Sequence, residues 1–384
     1  MGENSFKIFM YPWFAMGHLT SFLHLSNKLA ERGHKIFFIL PTRTQSKLEQ
    51  FNLHPEQIKF IPIIVPHVEG LPSGTETTAD IPFSLNHLLR YAMDLTQSSI
   101  ESFLQELEPH FVFFDFTHWL PSLTRRLGIK SITFFTISPA AAGYLLHEES
   151  LTEAPKGFPP SSIKLYTHEA RALNGTNNER ELGCRITFVQ RILMATSDCD
   201  AIAFKTCREM EGPYCEFLEN KFKKPVILAG PVLPEPPTST LDEKWAKWLD
   251  QFKLKTVIFC AFGSEARLRK DQFQELLLGL EFTGDQIINA RLMGGDLRIG
   301  VEVEKGHENG LFSKEGVVKA IRSVMEDDSE IGKVVQSNHA KWRDFLLSKG
   351  LEDSYIDNFV QKLGSLLEVE DNTDTMFDKW IGRE

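Results

Sequence analysis

The chain has 384 residues, 42% hydrophobic and 24% charged, with a formal net charge of -10 and no Lys/Arg block to offset it. This balance excludes a nucleic-acid surface and is that of an ordinary soluble globular protein. The length corresponds to two domains of about 100–200 residues each, and no apolar run approaches the ~20 residues of a membrane span.

Lys7 to Pro41 reads as a strand, a helix and a second strand. Ile8–Tyr11 is a short apolar run, and a loop follows that Gly17 and His18 close. Leu19, Phe22, Ser26 and Leu29 recur at helical spacing, Gly33 marks the helix end, and Lys35–Leu40 is the next buried strand. Such a βαβ unit crosses over right-handed and binds ligands beyond the carboxyl ends of its strands. Further strand-like runs follow at Ile58–Val65, Phe111–Phe116, Ser131–Thr136, Ala201–Thr206 and Pro225–Leu228. Their near-continuous apolar character is that of parallel strands covered on both faces. The expectation is a doubly wound α/β domain over residues 1–232 with six or seven strands. Leu85–Leu107 reads as one long helix, and His147–Asn178, rich in Pro, Ser and Asn, as a surface loop.

Leu233–Asp242 (LPEPPTSTLD) is a Pro-rich linker. A second domain over 243–384 begins with a helix at Glu243–Phe252, a strand at Thr256–Phe262 and a helix at Gln272–Phe282. After Glu281 only Arg298–Val303 resembles a strand. Helices at Lys314–Met325, Glu330–Ser348 and Ser354–Leu367 and an acidic tail complete the chain. One or two strands make a poor core, so this half lacks its middle. Apolar surface is expected to lie exposed around Leu276–Phe282 and Ile287–Leu292.

Three sets of residues carry chemistry. His18 stands at the start of the first helix, and Asp115 lies within the apolar run FVFFDFTHW at the same sheet edge. A buried carboxylate needs a partner, and a His held by an Asp serves as a general base. Two alternatives stay open: Asp115 as a loop cap, and His118 as a rival base in a packed position. Gly263 and Ser264 after a buried strand offer backbone N–H groups and a hydroxyl to a phosphate. Asp285 and Gln286, side by side at a helix start, offer sugar-hydroxyl ligands or merely an acid favoured by the helix dipole. Neither GxGxxG after a strand nor GxxxxGK[ST] is present, which disfavours a nicotinamide-dependent oxidoreductase. The five cysteines, odd in number and without a CxxC pair, read as reduced core thiols. No metal-ligand spacing occurs. The N-terminus shows no signal region, and Phe6 stands where a myristoylation signal has Ser or Thr.

The segments GHLTSFLHLSNKLAERGHKI, FDFTHWLPSL, CREMEGPYC, ILAGPVLP, FCAFGSE and DQIINARLM together resemble the plant UDP-sugar-dependent glycosyltransferases. Among these, the chain is similar to the branch-forming enzymes that add a second sugar to flavonoid or anthocyanin glycosides. The resemblance implies a GT-B fold, with the acceptor on the first Rossmann-like domain and the donor on the second. It implies His18 as the catalytic base and Asp115 as its partner. It places Thr136 near the donor sugar, Ser264 near the donor phosphates, and Asp285 and Gln286 at the sugar hydroxyls. It further implies a UDP-sugar co-substrate, an aromatic glycoside acceptor, no separate cofactor or metal, and a cytoplasmic monomer. The chain departs from the family pattern where GLEFTG runs directly into DQIINARLM. The family's uracil-stacking Trp and diphosphate-binding His segment belong before that Asp-Gln pair. The departure implies an internal deletion at the Gly284–Asp285 junction, where the missing strands are also expected.

Overall fold

A computed structural model describes residues 5–147, 150–177, 180–184, 186–232, 240–252, 284–304, 306, 313–326 and 328–381. Seven parallel strands form one sheet: β1 (Lys7–Tyr11), β2 (Lys35–Pro41), β3 (Ile58–Ile63), β4 (Phe111–Phe114), β5 (Lys130–Phe135), β6 (Ala201–Phe204) and β7 (Val226–Leu228). Their order is β3-β2-β1-β4-β5-β6-β7. The strands are buried on both faces, and the two-residue period shows in the cores they feed. Phe111 and Phe113 join the core that contains Ile8 and Met10, whereas Val112 and Phe114 join the one that contains Phe9 and Tyr11.

The longer connecting helices in this part are α1 (Met16–Ala30), α2 (Asn86–Asp94), α3 (Gln97–Leu107), α4 (Leu120–Arg126), α5 (Pro139–Leu145), α6 (Thr167–Asn177), α7 (Phe188–Asp198) and α8 (Arg208–Phe222). Gly33, at φ +81°, ends the turn between α1 and β2. The long helix expected at Leu85–Leu107 is broken at Leu95–Thr96. There the buried Tyr11 hydroxyl pairs with Thr96 Oγ1 at 2.6 Å, and Thr96 Oγ1 bonds the Met93 carbonyl. A hydroxyl that competes for the helix carbonyls ends the first segment.

Three other expectations need correction. The 147–178 region is no simple surface loop: it contains α6 and buries Leu151, Ile163, Leu165 and Ala170. Arg298–Val303 forms no strand, because Arg298 stands at φ +52° in a left-handed turn. The apolar residues of Ile287–Leu292 are not exposed. They lie on α10 (Gly284–Arg291, counting α9 as Glu243–Leu249) and the π-turn after it, and Ile287, Ile288 and Leu292 pack against Ala140, Ala141, Tyr144 and Ile163. The small residues of α5 let this helix approach closely.

α11 (Lys314–Met325) and α12 (Glu330–Leu346) follow, each N-capped by a serine, Ser313 and Ser329. The last helix, α13 (Leu351–Ile381), returns to the sheet. Its Ile356, Phe359 and Leu363 are buried with Ile8, Phe22 and Phe113. Arg32, in the turn after α1, holds Asp353 at 3.0 Å and Asp357 at 2.7 Å. Gly230 permits the contact with α13, since a Cβ there would stand 2.5 Å from that of Tyr355. Residues 1–232 and 282–384 thus make one compact unit, and 233–281 make another.

Within that second unit, α9 is capped by Asp242, which accepts from Lys244 N–H at 2.8 Å. The linker at 233–239, the expected strand at Thr256–Phe262 and the expected helix at Gln272–Phe282 lie outside the described residues. Among the described residues no helix is long and apolar enough to cross a membrane. Cys199, Cys207 and Cys215 are buried free thiols, Cys184 is half-buried, and Cys260 lies outside the described residues.

Candidate active site

The strand order reverses between β1 and β4. At such a switch point the loops diverge and leave a crevice beyond the strand ends. Three adjacent strands deliver the site there. β1 leads into the turn that opens α1 and carries His18, β4 ends one residue before Asp115, and β5 ends one residue before Thr136.

Asp115 is 3% exposed, and its carboxylate is fully engaged. Oδ1 accepts the backbone N–H groups of Trp13 at 2.7 Å and of Phe116 at 2.9 Å. Oδ2 lies 2.6 Å from His18 Nδ1. Because an ionised carboxylate only accepts, Nδ1 carries the imidazole proton and Nε2 keeps its lone pair. Thr136 Oγ1 stands 3.3 Å from Nδ1 and 3.4 Å from Nε2. The Phe116 ring meets the imidazole edge-on at 5.2 Å, and Trp13 packs against Phe116 at 5.5 Å. His18 remains the half-exposed member, reachable at the end of a buried, charge-holding scaffold. A base held by an orienting acid can take a proton from a hydroxyl placed at its free Nε2.

His118, the rival base, is half-buried; burial first and the Arg191 charge second push its protonation below the usual imidazole range. Among the described residues no carboxylate is bonded to it as Asp115 is to His18.

The sheet edge continues through Ser138. Its Oγ caps α5 by accepting from Ala141 N–H at 3.1 Å and donates to Asn289 Oδ1 at 2.6 Å. Glu211 lies below, receiving Thr206 Oγ1 at 2.7 Å, and burial pushes its carboxyl above the usual range. Arg291, at the end of α10, makes a buried ion pair with Glu169, with Nη2 at 2.9 and 2.7 Å from the two oxygens. It also bonds the Lys164 carbonyl and covers the Tyr166 ring at 4.5 Å. Asp296 accepts from Ser161, Ser162 and Tyr214. These bonds dock the segment that begins at Gly284 beside the loop that carries Thr136.

The structure therefore brings His18, Asp115 and Thr136 together. Asp285 and Gln286 occupy the first turn of α10, with side chains outside the described set, and Ser264 lies outside the described residues altogether. Phe116, packed against the imidazole with the buried Trp13 behind it, was not singled out from the sequence, though both adjoin the site's motifs. The buried Arg90 and Arg191 were not singled out either; each is a lone charge within an apolar helical stripe.

Over 96% of this chain and 100% of the other, the sequence is 48% identical to a cyanidin 3-O-galactoside 2''-O-xylosyltransferase of Actinidia chinensis. It is 45% identical to an anthocyanidin 3-O-glucoside 2''-O-glucosyltransferase of Ipomoea nil, over 95% of this chain and 99% of that one. The chain belongs to the plant UDP-glycosyltransferase family. No family model matches it. Its fold is that of other UDP-glycosyltransferases: a UGT of Glycyrrhiza uralensis complexed with glycyrrhetinic acid 3-O-monoglucuronide superposes with a TM-score of 0.72, covering 99% of this chain and all of the other at 16% identity. This UDP-glycosyltransferase is shorter than its relatives. The Actinidia alignment runs over 457 positions against the 384 residues here, so at least 73 positions of the relative have no counterpart. Since the alignment reaches 100% of the relative, the shortfall is internal.

Proposed function

We propose that this chain carries the acceptor site and general base of a UDP-sugar-dependent transferase and holds its donor only weakly. In this reading residues 1–232 form the acceptor domain, 233–242 the linker and 243–384 a shortened donor domain. The reaction is transfer of a hexose or pentose from a UDP-sugar to a hydroxyl of a flavonoid or anthocyanin glycoside, with inversion. His18 Nε2 accepts the hydroxyl proton as its oxygen attacks the anomeric carbon. Asp115 stabilises the imidazolium that forms, and UDP departs with the bonding electrons. Thr136, Asp285 and Gln286 attend the donor sugar, and Ser264 attends its phosphates. The protein acts as a cytoplasmic monomer without metal or separate cofactor.

The observation that carries this reading is the 2.6 Å bond from His18 Nδ1 to a carboxylate that also receives two backbone N–H groups. The missing positions, read as lying at the Gly284–Asp285 junction, favour a second reading, an acceptor-binding protein without turnover. Incubation with UDP-glucose or UDP-xylose and a cyanidin 3-O-glycoside separates the two. The first reading predicts slow formation of the diglycoside, abolished in His18→Ala. Turnover that survives this substitution at full rate contradicts it.

A further inference from the structure

We propose that Arg191 is a positioning residue for the His18–Asp115 pair, acting through the backbone on either side of Phe116. This rests on His18 being the base of the proposed reaction.

The last ladder partners of β4 are Tyr11 and Thr133, both opposite Phe114. Beyond that point the sheet no longer orients the chain, yet Asp115 and Phe116 must be held for the site to keep its shape. The Phe116 N–H is fixed by Asp115 Oδ1 at 2.9 Å. Its carbonyl accepts from Arg191 Nη1 at 3.2 Å. Arg191 and Phe188 lie three apart on α7, on one helical face, and grip the same residue: Arg191 holds the backbone, and Phe188 meets the Phe116 ring edge-on at 5.3 Å.

Arg191 is itself immobilised. It is 1% exposed, and its two terminal nitrogens bond the two oxygens of Asp94 at 2.9 and 2.5 Å. Asp94 also accepts Trp119 Nε1 at 3.0 Å. Arg191 Nε stands 3.4 Å from Glu181, whose carboxylate takes Arg90 at 2.6 Å, and Arg90 covers the Phe188 ring at 4.5 Å. Two arginines, the buried Glu181 and the half-buried Asp94 thus form a charge-balanced group, rigid enough to hold the backbone. A guanidinium has donors to span a carboxylate and a carbonyl at once, whereas a lysine ammonium offers a single point. If the Phe116 carbonyl is released, the peptide unit after Phe116 loses its anchor; Phe116 then turns about its φ and ψ, the preceding unit's N–H leaves Asp115, and the carboxylate turns away from His18.

The test reads the His18 tautomer directly, without turnover. The full chain is labelled with 15N at histidine, and the His18 ring resonances are assigned by their loss in His18→Ala. The wild type is expected to show well-separated signals for a protonated Nδ1 and an unprotonated Nε2. Asp115→Asn should draw the two together through tautomer mixing. The charge-balanced pair Arg191→Met with Asp94→Asn should do the same while far-UV circular dichroism remains that of the wild type. Arg191→Lys, which keeps the charge opposite Asp94, provides the same reading should the pair not fold. Wild-type His18 signals in a folded Arg191 variant, with mixing in Asp115→Asn, overturn the role of Arg191 and leave the base assignment standing. Unchanged signals in Asp115→Asn overturn the base assignment itself.

Discussion

Ser138 Oγ donates to Asn289 Oδ1 at 2.6 Å, joining residues 151 positions apart. The bond ties the helix after the expected deletion to the loop two residues past Thr136. With Arg291–Glu169 and Asp296–Tyr214 it joins residues 284–297 to the compact unit that carries His18 and Asp115. The apolar face of α10 is covered, and the polar groups at its end are paired.

That docking depends on Arg291. Removing one partner of a buried ion pair leaves the other charge unpaired and costs about 3–5 kcal/mol. Arg291→Met should therefore accelerate amide hydrogen exchange across 284–297 while β1, β4 and β5 stay protected. Unchanged protection in that segment contradicts the assignment of Arg291 as its anchor.

The return of α13 to the sheet makes a second energetic claim. Phe359 is 1% exposed and packs 6.0 Å from Phe113. Phe359→Ala removes a buried ring and leaves a cavity, a loss of about 3–5 kcal/mol. Urea unfolding should show a correspondingly lower midpoint; a shift worth under about 1 kcal/mol would mean that α13 contributes little to this core.

The seven strands were legible because continuous apolar runs between turn residues admit few other readings. The pairing of Asp115 with His18 was legible because a carboxylate in FVFFDF has no water to solvate it and needs a partner. The break at Thr96 was not, since the apolar stripe of Leu85–Leu107 continues through it and only the tertiary partner, Tyr11, makes the hydroxyl decisive. The burial of Ile287 and Ile288 was not legible either. A helical pattern names an apolar face but not its partner, and here the partner is α5, about 140 residues earlier. Arg191 was hidden for the same reason: its three carbonyl and carboxylate partners come from α2, the loop after β4 and the loop before α7.

Glu211 gives a prediction in pH. Burial raises its carboxyl, with Thr206 and the Ala140 N–H offsetting part of the rise. The native state then keeps the proton to higher pH than the unfolded chain, whose value is near 4.5. The contribution is complete below that value and is lost as pH rises through the folded one. Glu211→Gln keeps an oxygen for Thr206 and removes the titration. Stability measured from the acid side towards neutrality should fall less in the variant than in the wild type. Parallel curves contradict the assignment.

Loss of the base should be costly wherever transfer is seen. His18→Ala is expected to lower the rate about 10²–10⁴-fold, the range for removing a general base. Asp115→Asn should lower it too, by releasing the imidazole from the Nδ1–H tautomer, with the acceptor KM little changed. A large rise in KM at constant kcat would mark both residues as binding groups instead.

Calorimetric titration of the 384-residue chain with UDP tests the central claim most directly, the proposal that the chain keeps its general base but lacks most of its donor site. A nucleoside diphosphate needs several donors in a shaped cleft to overcome the freedom lost on binding. The internal shortfall of at least 73 positions is read as removing most of them. The account predicts no saturable heat, a Kd weaker than about 1 mM or roughly -4 kcal/mol. A micromolar Kd would show that the remaining residues build a donor site and would contradict it.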